Sequence, residues 1–296
     1  MFAVIGTLRP RFLALTPACL FPAVILAAID AGGALPVAAI VLVFSGALAA
    51  HMSVNAFNEY FDFCSGLDHA TRRTPFSGGS GTLVAHPQLA KLTLLLAMVS
   101  FGAALVIGLN FVWLRGTALL PLGILGATLV YTYTSVITRI PSLCLIAAGL
   151  GFGPVMVGGG YIALTGSYSN GALLLSVPVF CVVNNLLLVN QLPDIDADRE
   201  AGRKTWPMGK SRAQVALMYA GFNLLAILAL SVGIVSGLLP AGVVAGIVMP
   251  VAGFRVAWKL YSGSGPADSL LPLMKLNVVI TLLTPVLMGA GMWVYH

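Results

Sequence analysis

The sequence predicts an all-α membrane protein of about nine transmembrane helices around a central cavity. Hydrophobic residues make up 59% of the 296-residue chain and charged residues only 8%, whereas soluble domains contain about 25% charged residues. Apolar runs of roughly 20 residues recur along the chain, and each can cross about 30 Å of hydrocarbon as a helix. The longest polar stretch, residues 61–88, is too short for a soluble domain. Residues 1–296 are therefore expected to form a single transmembrane domain.

The predicted helices follow one another through short connections, apart from polar loops at residues 61–88 and 194–211. The fourth and fifth helices are separated only near Arg139 and Pro141. Repeated glycines in the fifth helix predict either a close approach of a neighbouring helix or a break. The predicted helices are residues 12–30, 36–60, 89–110, 117–137, 141–165, 171–193, 212–236, 239–260 and 271–294.

Basic residues predict the orientation. If successive helices alternate in direction, Arg115 alone lies on the side opposite the N-terminus. Because lysine and arginine concentrate in cytoplasmic loops, we expect the N-terminus, both polar loops and the mouth of the cavity on the cytoplasmic side of a plasma or inner membrane. The net charge of +6 then reflects topology and contact with membrane lipid, and it does not indicate nucleic-acid binding. The basic residues on the N-terminal side are Arg9, Arg11, Arg72, Arg73, Lys91, Arg139, Arg199, Arg203, Lys204, Lys210, Arg212, Arg255, Lys259 and Lys275.

The first cluster of acidic residues lies where the second helix is predicted to end. Asn55, Glu59 and Asp62 are spaced i, i+4 and i+7, so they share one helix face. Gly66 is expected to end the helix and let Asp68 fold back toward the same place. Carboxylate and amide oxygens are hard ligands that suit Mg²⁺. The alternative is an ordinary solvated helix end with capping acids, but carboxylates on one face without a nearby lysine repel each other.

The second cluster follows the sixth helix. Asn190, Asp194 and Asp198 are spaced i, i+4 and i+8, which predicts one stripe along a helix end. Asp196 and Glu200 are expected to point elsewhere, toward solvent or nearby basic side chains. A mixed-charge cytoplasmic loop is the alternative for this segment taken alone, but two such clusters on one membrane side favour a pair of cation sites.

Basic residues beside both clusters suggest the ligand. Arg72 precedes a Gly/Ser-rich turn, and Arg203 and Lys204 follow the second cluster. Two Mg²⁺ ions and these cations suit a diphosphate, since they neutralise charge that builds on it as a leaving group. The surrounding apolar helices suit a long apolar tail. A molecule with both features is a prenyl diphosphate.

At this point the motifs resemble a known family. Asn-Glu-Tyr-Phe-Asp at residues 58–62 and Arg-Glu-Ala-Gly-Arg-Lys-Thr at residues 199–205 are similar to the aspartate-rich motifs of UbiA-type intramembrane prenyltransferases. With Arg-Thr-Pro-Phe-Ser-Gly-Gly-Ser-Gly at residues 73–81, the chain most resembles the menaquinone-pathway branch, which prenylates 1,4-dihydroxy-2-naphthoate. The resemblance covers the whole chain. The segment after residue 133, however, lacks the Pro-Pro pair and the downstream Gly-Glu of that branch.

The resemblance implies Mg²⁺-dependent ionisation of a prenyl diphosphate and electrophilic substitution on an electron-rich aromatic acceptor. It implies that Asp62, Asp194 and Asp198 are catalytic and that Arg72, Arg203 and Lys204 bind the departing diphosphate. Tyr131 and Tyr133 would either stabilise the allylic cation through their ring faces or belong to the aromatic belt at the membrane interface. The implied ligands of two Mg²⁺ ions are Asn55, Glu59, Asp62, Asp68, Asn190, Asp194 and Asp198.

Other functions remain as alternatives. The same chemistry could act on another aromatic, a haem, a chlorophyll or a glycerol-phosphate lipid acceptor. A cation-coupled secondary transporter would instead place its ionisable residues at mid-helix depth, whereas here they lie at helix ends. A CDP-alcohol phosphotransferase would carry a single Asp-x2-Asp-Gly-x2-Ala-Arg block, which this sequence lacks.

Overall fold

The computed structural model of the chain describes residues 2–71, 73–263 and 270–296. Within these ranges every regular element is helical, and eight helices are long and apolar enough to cross a membrane. A further apolar helix, Thr117–Thr132, is shorter. The chain is therefore an integral membrane protein, and the prediction of an all-α fold is confirmed.

The apolar helices are numbered α1 to α9 in chain order, and each corresponds to one predicted segment. Short helical turns lie at Phe2–Leu8, Pro10–Leu13, Leu67–Ala70, Thr82–Ala85, Pro87–Leu89, Thr117–Leu119, Ile137–Arg139 and Ile195–Glu200. The long helices are α1 (Leu15–Asp30), α2 (Val37–Cys64), α3 (Ala90–Arg115), α4 (Leu120–Thr132), α5 (Pro141–Thr165), α6 (Asn170–Asn190), α7 (Arg212–Val235), α8 (Ala241–Ser262) and α9 (Leu271–Val294).

Two helices end earlier than predicted. The fourth segment was expected to reach residue 137, but α4 ends at Thr132 and a turn leads to Ile137–Arg139. The sixth was expected to reach residue 193, but α6 ends at Asn190 and a turn separates it from Ile195–Glu200. Pro193 cannot donate a backbone hydrogen bond, so it does not support a continuous helix there. Both early ends lie at the polar end of the bundle.

Consecutive helices pack side by side, and α9 packs against α1 to close the bundle. The largest buried core joins α1, α5 and α6 through side chains such as Leu20, Val157 and Leu175. A second core joins α6, α7, α8 and α9 around Tyr219 and Met274. By contrast, α3 and α4 meet through few residues. The second half of the bundle is thus densely packed, while the wall between α3 and α4 is thin.

Buried amides fasten α6, α7 and α9 together. The Asn185 side-chain nitrogen donates to the Tyr219 carbonyl at 3.0 Å and to Asn223 Oδ1 at 3.1 Å. Tyr219 donates its hydroxyl to Asn277 Oδ1 at 2.7 Å, and Asn277 donates to the Asn185 carbonyl at 2.9 Å. Because an apolar core offers these groups no water as an alternative hydrogen-bond partner, the bonds between them fix how the three helices pack.

The glycines of α5 allow both a local change in helix geometry and a close approach of a neighbouring helix, the two features suggested by the sequence. Residues Gly151–Gly158 form a π-helical segment, and such wider turns are common near functional sites. A Cβ added to Gly153 would lie 2.7 Å from the Ser176 carbonyl oxygen and 2.8 Å from Phe180 Cβ. The backbones of α5 and α6 therefore approach closely at Gly153, as small residues allow in membrane helices.

This close approach makes a prediction for Gly153→Ala. The added methyl group must push backbone against backbone, and overpacking of this kind costs about 1–3 kcal/mol. We expect a clearly lower midpoint of thermal unfolding for the detergent-purified variant. Gly158→Ala is the matched control, because its Cβ would lie 3.6 Å from Leu122 Cδ1, an ordinary contact. Equal midpoints for the two variants would contradict the close approach of α5 to α6.

Candidate functional site

A cavity of about 590 Å³ lies inside the bundle. One end is polar and contains side chains from both acidic clusters, and the remainder is apolar. Phe101, Phe111, Leu120, Phe152 and Met156 are among the residues of the apolar wall. The cavity thus combines a charged end with an apolar interior, in the size range of small-molecule sites.

The first acidic cluster reaches the cavity from the end of α2. Asp62 is buried in the last turns of this helix and lines the cavity. Asn55, seven residues earlier on the same helix face, also lines the cavity. The Asn55 side-chain nitrogen donates to the Leu8 carbonyl at 3.0 Å. Gly66 has a φ of 80°, a left-handed conformation that glycine adopts without strain. The chain therefore turns back, and Asp68 lies buried in the same cavity wall, as predicted.

The residues of the second acidic cluster lie on more than one element, whereas the sequence predicted a single stripe along one helix end. Asn190 is the last residue of α6, whereas Asp194 follows a turn and Asp198 belongs to the helix Ile195–Glu200. All three still line the cavity. Asp196 is 91% exposed and pairs with Arg199 at 3.0 Å, so it lies outside the site as expected.

Arg203 joins the two clusters. Its guanidinium pairs with Asp62 and, at 3.3 Å, with Asp198. These three side chains come from α2, from Ile195–Glu200 and from the loop that follows it, and all are largely buried. An arginine fork between two carboxylates is a strong, geometrically specific contact. In this arrangement the guanidinium occupies the place where a cation would satisfy Asp62 and Asp198.

Glu59 stands apart from the other predicted ligands. Its carboxylate is fully buried, but it is not part of the cavity wall. Glu59 Oε1 accepts from Arg9 Nε and from the Ser80 backbone N–H, both at 2.7 Å, and Oε2 accepts from Ser80 Oγ at 2.6 Å. This arrangement differs from the predicted metal-ligand role, because donors of the chain itself already take up the carboxylate oxygens.

The Gly/Ser-rich loop covers the acidic residues. Ser77 Oγ donates to Asp194 Oδ1 at 3.3 Å. Gly79 has a φ of 73°, and a Cβ added there would lie 2.8 Å from Asp68 Oδ1. Arg73 donates to the Asp68 carbonyl at 3.3 Å. The loop thus contacts one aspartate of each cluster, and glycine lets its backbone lie directly on the Asp68 carboxylate.

Several acids in this site resist ionisation. Burial, together with the negative charges of Asp62 and Glu59, raises the pKa of Asp68 to about 7. Burial and the neighbouring Asp198 raise the pKa of Asp194 to about 7, and burial also raises the pKa of Asp198. Carboxylates in this condition gain free energy from any cation that enters among them. The electrostatics of the site therefore favour a bound cation.

The donor atoms also fit a hard divalent cation. Asp68 Oδ2 and Asn190 Oδ1 are buried without a hydrogen-bond partner, and both residues line the cavity. Mg²⁺ is typically bound through one or two carboxylates together with substrate phosphates. Over the described ranges, no three acidic, histidine or cysteine side chains converge on one point.

The remaining predicted residues divide between the cavity and the outside. Tyr133, just beyond α4, lines the cavity. Tyr131 is 64% exposed and packs edge-on against Phe57, and it is not among the residues that line this cavity. Lys204 is exposed, and its backbone N–H donates to the Thr138 carbonyl. Arg72 lies outside the described residues.

Sequence reasoning missed two polar contacts at the site. Arg9 lines the cavity and pairs with Glu59, and Ser77 contacts Asp194. A basic residue before the first membrane helix is expected from topology alone, so nothing in the sequence indicated that Arg9 belongs to the site. A serine in a flexible-looking loop is equally uninformative.

Comparison with known proteins agrees with this geometry. The chain matches the model of the UbiA prenyltransferase family over residues 19–279. It is 31% identical over 175 residues to the 1,4-dihydroxy-2-naphthoate octaprenyltransferase of Bacillus subtilis (strain 168). That match covers 58% of this chain and 55% of the relative, so it spans about half the length of the relative.

Solved structures share the fold. A UbiA homolog from Aeropyrum pernix K1 has a TM-score of 0.68 at 19% identity, over 94% of this chain and 96% of that one. A UbiA homolog from Archaeoglobus fulgidus, bound to DMAPP and Mg²⁺, has a TM-score of 0.66 at 12% identity, over 98% and 99% of the two chains. A structure of digeranylgeranylglyceryl phosphate synthase has a TM-score of 0.70 at 13% identity, over 98% and 97%.

Proposed function

Since the chain belongs to the UbiA prenyltransferase family, we propose that it transfers a prenyl group from a prenyl diphosphate to an electron-rich aromatic acceptor with Mg²⁺. One observation carries the proposal: a single cavity has four buried or partly buried aspartates at one end and an apolar wall along the rest. The charged end suits a diphosphate with its metal ions, and the apolar wall suits the tail.

Residues of both clusters would hold the diphosphate and its metal. Asp62 and Asp68, with Asn55, would bind one Mg²⁺, and Asp194 and Asp198, with Asn190, would bind a second. Arg203 would contact the diphosphate oxygens, since a guanidinium fork matches phosphate as well as carboxylate. When bound, Mg²⁺ would neutralise the charge that develops on the leaving diphosphate.

In the proposed reaction, the bond between the allylic carbon and the diphosphate oxygen breaks, and its electron pair leaves with the diphosphate. An electron-rich ring carbon of the acceptor then forms a bond to the allylic cation and loses its proton, which the released diphosphate can accept. Tyr133, in the cavity wall, would face the cation and stabilise it through its ring. The apolar wall excludes water, which would otherwise capture the cation.

The tail and the acceptor define the finer proposal. Leu109 of α3 and Ile124 of α4 line the cavity and are also largely exposed, and these two helices meet through few residues. A tail longer than the cavity would extend there toward lipid. The partial match to a dihydroxynaphthoate octaprenyltransferase supports a dihydroxynaphthoate-like acceptor in quinone biosynthesis. We further propose that residues 1–296 act as one domain, with the cavity mouth and the N-terminus on the cytoplasmic side.

Purified protein in detergent, a panel of radiolabelled prenyl diphosphates and several acceptors would test this function. We expect label to pass to 1,4-dihydroxy-2-naphthoate with Mg²⁺ and not with EDTA. Transfer to a different acceptor would keep the chemistry and overturn the naphthoate assignment. An absence of transfer to every acceptor would overturn the prenyltransferase proposal.

Gly79→Ala provides a further prediction. Alanine is strained at a φ of 73°, and its methyl group would press on the Asp68 carboxylate. Because misplacement by about 1 Å can cost roughly 10²-fold in rate, we expect prenyl transfer to fall by at least about tenfold. Gly221→Ala is the control, since nothing lies within 4 Å of its added Cβ. Normal transfer by Gly79→Ala would show that the loop backbone does not set the position of Asp68.

A further inference from the structure

We propose that Glu59 is a positioning residue, not a metal ligand: it holds Arg9 in the cavity wall and fixes the turn of residues 78–81 over Asp68. This role deepens the proposed function and rests on it. The helical spacing of Glu59 with Asn55 and Asp62 predicts that Glu59 is a metal ligand, and the positioning role replaces that prediction.

The surroundings of Glu59 argue against a metal there. The carboxylate is 0% exposed, and Oε1 accepts from Arg9 Nε, from a second Arg9 nitrogen at 2.7 Å and from the Ser80 N–H. Oε2 accepts from Ser80 Oγ. A carboxylate has about four acceptor positions, so the chain's own donors use them. A metal ion would have to displace both Arg9 and Ser80.

Arg9 is the residue that Glu59 holds at the cavity. Its side chain lines the same wall as Asp62 and Asp68, and its charge acts on Asp68 and Asp194. Arginine has five N–H donors, and two of its nitrogens contact Glu59. The remaining donors are available to the oxygens of a diphosphate. Because Glu59 fixes the guanidinium in advance, less side-chain entropy is lost when an anion binds.

The backbone at Arg9 is itself unusual. Among the described residues, Arg9 is the one non-glycine residue with a positive φ, at 50°, although the following Pro10 disfavours helical conformations before it. Such conformations persist when surrounding contacts determine them. The contacts at hand are the Glu59 pair and the bond from Asn55 to the Leu8 carbonyl. The N-terminal segment is thus held to α2 at Leu8 and at Arg9 itself.

The same carboxylate fixes the loop on its other side. Ser80 binds both Glu59 oxygens, and the adjacent Gly79 lies against Asp68. Glu59 therefore joins three separate parts of the chain at the polar end of the cavity: the N-terminal segment, α2 and the Gly/Ser-rich loop. Its effect on the ligand is exerted through Arg9 and this loop.

A double-mutant cycle separates positioning from metal binding. The variants are Glu59→Gln, Arg9→Gln and the double variant, with the exposed Arg11→Gln as the matched control. Three quantities are measured: the KM for prenyl diphosphate, the Mg²⁺ concentration that gives half the maximal rate, and the Kd for inorganic pyrophosphate in the presence of Mg²⁺, by calorimetry. The last needs no turnover.

We expect each single variant to raise the KM for prenyl diphosphate and the Kd for pyrophosphate by about tenfold, the effect of losing one charge-assisted contact. Glutamine can keep the loop in place, because its amide oxygen can accept from the Ser80 N–H and its amide nitrogen can donate to Ser80 Oγ. What Glu59→Gln removes is the charge that holds Arg9, so the double variant should be no worse than either single variant. In the Arg9→Gln background, Glu59→Gln should leave the Mg²⁺ requirement unchanged. If it raises that requirement about tenfold there, Glu59 is a metal ligand and the proposal is wrong.

Two further arms keep the outcomes distinct. If Glu59→Gln does not fold, Arg9→Lys tests the same contact, since lysine keeps the charge but lacks the fork. This variant should raise the pyrophosphate Kd and leave the Mg²⁺ requirement unchanged. A pyrophosphate Kd equal to that of the wild type would overturn the proposal. If Glu59→Gln weakens pyrophosphate binding but the wild-type protein transfers a prenyl group to no acceptor, the proposed function is contradicted and the positioning role of Glu59 stands. Pyrophosphate binding that is absent from the wild type would overturn both.

Discussion

Asp62→Asn and Asp194→Asn should each lower the rate of prenyl transfer by at least about 10²-fold, the size of effect found when one group that stabilises developing charge is removed. The two aspartates reach the cavity from different elements, α2 and the turn after α6. Asparagine keeps the shape but removes the charge that Mg²⁺ requires. Transfer of label from a radiolabelled prenyl diphosphate, with folding checked by thermal unfolding, measures the loss.

Asp196→Asn is the matched control for this pair. It removes the same charge two positions from Asp194, but from a side chain that is 91% exposed and paired with Arg199. We expect a rate within about twofold of wild type, since surface ion pairs contribute little. An equal loss at Asp194 and Asp196 would contradict the placement of the second cluster, and near-normal rates at Asp62 and Asp194 would contradict their assignment as metal ligands.

The sequence predicted the helices and both clusters because these depend on local patterns. Apolar length identifies each membrane helix, and the left-handed turn that brings Asp68 back is encoded by a single glycine, Gly66. Helical spacing also separated Asp196 from Asp194 correctly, although a turn interrupts the helix that the spacing assumed. Residues that interact within one segment can be predicted from that segment.

Contacts between distant segments could not be predicted in this way. The pairing of Arg9 with Glu59 joins residues 50 positions apart, and both side chains had another ready interpretation, one from topology and one from the acidic motif. The two tyrosines show a second limit. Tyr131 and Tyr133 are the same residue type, but Tyr133 still has helical dihedral angles, and two residues apart on a helix corresponds to about 200° of rotation. The two rings therefore face opposite sides, and of the two only Tyr133 lines the cavity. Local spacing shows that the two rings diverge, but only the packing of the other helices decides which ring faces inward.

Arg203→Met should separate metal binding from catalysis. In the structure the guanidinium pairs with Asp62 and Asp198, so the proposed Mg²⁺ ions would have to displace it to reach both aspartates. Methionine fills similar space without charge, and it leaves the two aspartates without a cation. We therefore expect Mg²⁺ alone to bind this variant more tightly than the wild type, and to raise its unfolding midpoint more.

The same substitution should weaken the reaction. In the proposed function the guanidinium fork of Arg203 binds the diphosphate, so we expect kcat/KM for prenyl diphosphate to fall by about 10²-fold or more. Arg199→Met is the matched control, because its guanidinium pairs only with the exposed Asp196 among the described contacts. Calorimetry with Mg²⁺ alone and transfer assays at saturating Mg²⁺ measure the two effects. Weaker binding of Mg²⁺ by Arg203→Met would mean that the arginine supports the metal sites and does not compete for them.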